Sequence, residues 1–303
     1  MAFGHTGPMT FDRDTRRALL ALTAAGLTWG LTVPLSKVAL GWLDPAWLTV
    51  ARFGLAAPVL AWLARRHLRA SVTPAIVAWG AVGFGLVIVL QNVAIERTSV
   101  THAAVILGSI PILVALTAAA AGRGQSGPQA WVGFAVALGG IGLVAGSGGD
   151  SSAAGDLLML GAAALSALTI VAQARLLRGR DAVAVTAVQM TAAAAIVLPI
   201  ALLFGTPPAV APTGAQAGAA LALVTAGSLL PFALYAYGQA RVSAEVAGAF
   251  VNLEPLVGAA LGALVFGDPF GRAHLAGTAA IAVGIVLSAC QRSDITGGIR
   301  GEA

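Results

Sequence analysis

The chain has 303 residues, 58% of them hydrophobic and 10% charged, with a mean hydropathy of +0.89 and a net charge of +5. Soluble domains carry about a quarter charged residues, so the composition excludes an ordinary water-soluble protein. A single cysteine, Cys290, excludes an internal disulfide. The positive charge lies in short breaks between apolar runs, which is an insertion signature and excludes a nucleic-acid reading.

Ten apolar runs follow one another, at 17–37, 45–64, 75–96, 99–121, 127–146, 156–176, 182–204, 216–238, 244–266 and 273–290. Each is close to the ~20 residues a helix needs to cross a bilayer. Arg13, Arg16 and Arg17 precede the first run, which is too long for a signal-peptide core and reads as an uncleaved span. Residues 1–15 and 291–303 read as short solvated tails. The expected fold is therefore an all-α membrane protein with ten transmembrane helices. Ten crossings put both termini on one side. Thirteen Lys and Arg fall on that side and three, Lys37, Arg97 and Arg272, on the other, while Arg52 lies inside the second run. This bias places both termini in the cytoplasm of a cell-membrane protein.

The ninth run, Ser243 to Asp268, is broken near its middle by Glu254-Pro255. A carboxylate and a helix-breaking proline at membrane depth are costly in lipid. Shifted by 144 positions, the fourth run falls on the ninth without a gap, matching Arg97 to Arg241, Ser99 to Ser243 and Pro111 to Pro255. At a shift of 137, Thr32 meets Thr169, Asp44 meets Asp181 and Thr49 meets Thr186. The chain thus divides into two five-helix repeats, 16–146 and 156–290. An odd number of spans per half forces opposite orientations, so the repeat is inverted.

Several residues stand out against this apolar background. Glu254, near mid-bilayer, reads as a proton-coupling or cation-contacting site, or as the structural partner of a buried arginine. Arg52 reads as a structural clamp before an anion contact; its repeat partner is Gln189. Depth places the Arg52 and Glu254 backbones about 5 Å apart along the membrane normal, at 1.5 Å per residue. Segments two and nine are therefore expected to pack, with Arg52 directed to Glu254, directly or through water or Asn92. Gln91, Asn92 and Tyr235 are cavity candidates, or interhelical hydrogen-bonding groups. Asn252 is a further candidate, although about 200° from Glu254 around the helix. Trp29 either stacks on a substrate or fills the core. Pro111 and Pro255 read as hinges or as packing kinks. His102 reads as an interfacial histidine, with a pH-sensitive gate as the alternative. Gly258-x-x-x-Gly262 permits close helix contact.

Taken together, Trp29-Gly30…Lys37, Arg52, Ala94–Ser99, the two prolines and Gly267-Asp268-Pro269 resemble the EamA-type branch of the drug/metabolite transporter superfamily. The family more often has Gly-Glu where this chain has Gly267-Asp268. The resemblance implies a central cavity lined by spans one to four and six to nine, with spans five and ten peripheral. It implies substrates drawn from amino acids, nucleosides, sugars, metabolites and drugs, without choosing among them.

The expected function is a secondary transporter working by alternating access, its partners a small-molecule substrate, the lipid bilayer and a proton. Export of a neutral or zwitterionic metabolite is favoured over efflux of an amphipathic drug-like compound. An intramembrane enzyme is the remote alternative, since the chain has no His-Glu-x-x-His and no evident membrane-depth Ser/His pair. A receptor or channel without turnover fits an inverted repeat less well. No cofactor, metal site or nucleotide-binding motif is expected.

Overall fold

A computed structural model describes residues 13–120, 128–145, 152–242, 244–251, 253–268 and 271–298. The first apolar run forms α1 (Arg13–Trp29) and α2 (Thr32–Ala39), and the second forms α3 (Pro45–Leu63). A short α4 (Leu68–Ser71) leads to the third run. This run is α5 (Pro74–Gly80), a π-helical turn (Ala81–Leu86) and α6 (Val87–Arg97). The fourth is split into α7 (Val100–Leu107) and α8 (Ile110–Ala120). Then come α9 (Pro128–Ala145), α10 (Ala153–Leu176) and α11 (Ala182–Phe204). The eighth run repeats the pattern of the third: α12 (Gly214–Val224), a π turn (Thr225–Leu229) and α13 (Leu230–Gln239). The chain continues as α14 (Ala244–Phe250), α15 (Leu253–Val265) and α16 (Arg272–Gly298).

Among the described residues, eight stretches are long and apolar enough to cross a membrane: Arg13–Ala39, Pro45–Leu63, Pro74–Arg97, Val100–Ala118, Ala153–Leu176, Ala182–Phe204, Gly214–Gln239 and Val246–Val265. Within α9, Trp131–Gly140 is apolar but shorter. The fifth and tenth expected spans thus fall on α9 and α16, which pack on each other.

Helix starts are set by side chains that take up orphan N–H groups, which lipid cannot satisfy. Asp44 accepts from Ala46 N at 2.8 Å, with Pro45 at the first helical position, and Asp181 accepts from Ala184 N at 2.8 Å. Ser99 caps α7 through His102 N at 3.1 Å, and Ser152 caps α10 through Gly155 N at 3.0 Å. Thr213 and Gln216 form a reciprocal capping box at α12.

The helix pairing has a mirrored order along the chain. α1 packs on α13 and α6 on α10; α8 packs on α10 and α14 on α1; α3 pairs with α11, α7 with α15 and α9 with α16. The two π turns begin at Ala81 and Thr225, 144 positions apart, the same offset that separates Pro111 from Pro255. Both π turns lie in runs that read as unbroken helices, and only the second has a proline, Pro231, just beyond it.

Each matched proline sits at the start of a restarted helix, Pro111 second in α8 and Pro255 third in α15. A first-turn proline removes an N–H that has no intrahelical partner, so it is tolerated there. The two interruptions touch: a Cβ placed on Gly108 would lie 3.2 Å from Pro255 Cγ. The fourth and ninth runs therefore cross at their breaks, with α7 and α15 on one side and α8 and α14 on the other.

Candidate functional site

A central cavity of about 100 Å³ lies where the mirrored halves meet. Its walls come from α1, α2, α3, the first π turn, α6, α8, α10, α13 and α15, and α9 and α16 supply no described lining residue. Helix α11 also supplies none, although the family resemblance suggests that the seventh span does.

Arg52, 2% exposed, enters the cavity from α3. Its Nε donates to Ser228 Oγ at 3.1 Å and its Nη2 to the Gly227 carbonyl at 3.1 Å. Both acceptors lie in the second π turn. The Gly227 carbonyl is available for a chemical reason: Pro231, four residues on, has no N–H to give it. The guanidinium thus completes a proline-interrupted helix while retaining further donors for the cavity. Glu254, 8% exposed, faces the same cavity from the first turn of α15. It is the charge that acts on Arg52 electrostatically, yet no ion pair within 4 Å joins the two. The expected direct pairing is thereby corrected. Arg52 is anchored to the π turn, which α3 packs against, and that leaves both charges turned to the cavity.

An aromatic wall faces these charges. Trp29 meets Phe232 edge-on at 5.2 Å and Tyr235 at 4.9 Å, and Phe84 lies 4.6 Å from Phe232. Beyond it lie amides. Gln239 donates to Ile170 O at 2.7 Å, and Gln173 exchanges two hydrogen bonds with Gln189 at 3.0 and 2.7 Å. Among the described residues, the Tyr235 hydroxyl and Gln239 Oε1 have no protein partner, although both are buried at the cavity. Buried polar groups are rarely left unpaired, so these two are open to water or to a ligand in the cavity.

The two ends of the cavity differ. At the end carrying His102, α7 and α15 cross closely. A Cβ on Gly262 would lie 2.5 Å from Thr101 Oγ1, and one on Gly258 would lie 2.8 Å from Ala104 Cβ. Polar contacts close the same end. Lys37 Nζ donates to Ile95 O at 2.7 Å and Thr98 O at 3.0 Å, and Thr101 N donates to Asp268 Oδ2 at 2.8 Å. Gly267, at φ +68°, makes the turn that brings Asp268 back. At the end carrying Arg241, α8 and α14 meet at ordinary contact at Gly248, where a Cβ would find Val114 at 3.6 Å.

The EamA-like transporter family model matches residues 16–146 and again 153–290. The chain belongs to the EamA-like transporter family. Its relatives include an uncharacterized transporter, YdeK, of Bacillus subtilis (strain 168), 29% identical over 276 residues that cover 86% of this chain and 92% of the relative. An uncharacterized transporter of Archaeoglobus fulgidus is 26% identical over 250 residues, covering 78% of this chain and 84% of that one. The crystal structure of another protein superposes with a TM-score of 0.69 at 20% identity. It covers 92% of this chain and 98% of its own, and shows the shared fold alone.

Of the residues singled out in this EamA chain, Trp29, Arg52, Gln91, Tyr235 and Glu254 line one cavity. Asn92 does not: it is 1% exposed and its Nδ2 donates to Thr49 Oγ1 at 3.0 Å and Pro45 O at 3.3 Å. It pins α6 to α3 one turn from Arg52 and bridges nothing to Glu254. Asn252 lies outside the described residues. His102 is 1% exposed, packed inside the protein, and its Nδ1 lies 3.3 Å from Asp156 Oδ2. Sequence reasoning missed Ser228, Phe232, Gln173 and Gln239. Pro231 was the available signal for the first, since it frees a carbonyl in the turn that holds Ser228.

Proposed function

We propose that this EamA-family chain is a secondary transporter that exports a small neutral or zwitterionic metabolite by alternating access across the cell membrane. One observation carries the substrate class: Arg52 and Glu254 face the same buried cavity without pairing to each other. Spare guanidinium donors suit a carboxylate, while Glu254 and Gln239 Oε1 suit an ammonium group. Trp29, Phe232 and Tyr235 offer an apolar face between them. The volume of about 100 Å³ is well below the roughly 300 Å³ at which drug-sized pockets begin, which favours a compact metabolite over a drug.

In this reading ten helices span the membrane as two inverted five-helix repeats, and the mirrored pairing order and matched π turns support it. The lysine and arginine bias puts both termini in the cytoplasm and makes the His102 end the outer one. The tight crossing is then the outer gate, and the other opens the cavity to the cytoplasm, as an exporter's loading state requires. Glu254 is the cavity group for substrate ammonium or for a coupling proton. The test is counterflow: proteoliposomes preloaded with single unlabelled amino acids or other zwitterions take up the labelled compound. Saturable exchange that Glu254→Gln abolishes is expected. Exchange of anions or of lipophilic cations in preference to zwitterions would refute the substrate class.

A further inference from the structure

We propose that Tyr235 and Gln239 form a second polar subsite in the cavity, which takes the hydroxyl- or amide-bearing tail of the substrate. This subsite presupposes the zwitterionic substrate proposed above and adds the chemistry of its side chain. Among the described residues, the Tyr235 hydroxyl and Gln239 Oε1 make no hydrogen bond, although their residues are 7% and 2% exposed and line the cavity.

The direction of the Gln239 amide follows from its one bond. Its Nε2 donates to the Ile170 carbonyl of α10 at 2.7 Å. A carbonyl only accepts, so the nitrogen end of the amide lies on α10 and the oxygen end turns away from it. Oε1 is therefore an acceptor in need of a donor, while the Tyr235 hydroxyl can both donate and accept. The two residues are four positions apart on α13, so they stand on one face with Cβ atoms about 6 Å apart. Phe232 and Ala236 line the cavity from the same face.

Neighbouring polar groups of the cavity are engaged elsewhere. Thr169 Oγ1 donates to the Leu165 carbonyl, and Gln173 exchanges both ends of its amide with Gln189. At the repeat offset of 144, Tyr235 corresponds to Gln91 and Gln239 to Ile95, so the opposite half of the chain does not repeat the pair.

Distance separates this subsite from the charges. Arg52 is anchored at Ser228, and Gln239 lies eleven positions further along the same run, about 16 Å at 1.5 Å per residue. An α-amino acid carries its carboxylate and ammonium on one carbon, so both stay with Arg52 and Glu254. Glu254 has the charge that an ammonium balances, whereas an amide oxygen needs only a neutral donor. The substrate side chain then runs along Phe232 for several bonds and ends between a fixed acceptor and a hydroxyl. A hydroxyl or a carboxamide both donates and accepts there; a methyl end leaves two buried polar atoms unpaired.

The test is a binding titration of the purified full chain, read by thermal shift, with two pairs of amino acids matched in shape. Glutamine is set against homoleucine, and 5-hydroxynorvaline against norleucine. In a merely apolar cavity the methyl-ended member binds more tightly, because it leaves water more readily than a polar end. The subsite reverses this order: in at least one pair the polar member is expected to bind at least about fivefold more tightly, and that pair names the tail. Tyr235→Phe, which keeps the ring against Trp29, and Gln239→Met should each bring the ratio toward one. Should one variant fail to fold, the other and the parent ratio still decide. Ratios near or below one in both pairs overturn the subsite and leave the zwitterionic substrate class standing, with water on the two atoms. Equal loss of both members of a pair in Gln239→Met places Oε1 on the shared ammonium and overturns the subsite as well. No binding of any of the four overturns the zwitterionic class and the subsite with it.

Discussion

Gly262→Ala tests the asymmetry of the two gates. A new Cβ at this position would lie 2.5 Å from Thr101 Oγ1, 3.0 Å from Thr101 N and 3.1 Å from Asp268 Oδ2. The hydroxyl can rotate away, but the backbone nitrogen and its bond to Asp268 cannot move without shifting the start of α7. Overpacking of this kind costs about 1–3 kcal/mol. The strain exists only while α7 and α15 are crossed, so it should move the population toward the outward-open state by about 5- to 150-fold. Gly248→Ala is the matched control on the inner crossing, where the nearest atom is Val114 Cγ1 at 3.6 Å, an ordinary contact. It should shift the population by less than about twofold, because less than ~0.5 kcal/mol is at stake. Labelling of Ile88→Cys on the cavity wall by a membrane-impermeant thiol reagent added outside, in a Cys290→Ser background and with a thermal melt alongside, reads both effects. Equal shifts from the two variants would refute the reasoning. So would a lower Tm for Gly262→Ala with unchanged accessibility, because the clash would then belong to every state.

Three further substitutions follow from the hydrogen-bond geometry. Glu254→Gln should abolish counterflow while leaving the melting temperature within about 2 °C, because Arg52 keeps its anchors on Ser228 and Gly227; a large loss of stability would restore the direct ion pair. Asn92→Leu should destabilise the fold by about 0.6 kcal/mol, the typical worth of an interhelical hydrogen bond in a membrane, with substrate affinity unchanged in a binding titration. Gln189→Leu should cost about 1–3 kcal/mol by stranding the buried Gln173 amide, and Gln173→Leu added to it should recover part of that loss in a denaturation cycle.

The apolar runs, their breaks and the internal duplication are all legible in the sequence, because lipid permits only helices long enough to cross it and punishes each polar exception. Glu254, Arg52 and the matched prolines are visible for the same reason. A charge or a missing N–H among apolar neighbours is conspicuous without any knowledge of its partner. The partner is what depth along a helix could not supply. Counting along the chain puts Arg52 and Glu254 at similar expected depths, but which neighbour a guanidinium reaches depends on rotation and packing about each helix. That packing turned Arg52 to a carbonyl left open by Pro231, and Asn92 to Thr49. The π turns, the Gln173–Gln189 exchange and the burial of His102 against Asp156 were likewise settled only in three dimensions, since each joins residues whose own surroundings in the chain are unremarkable.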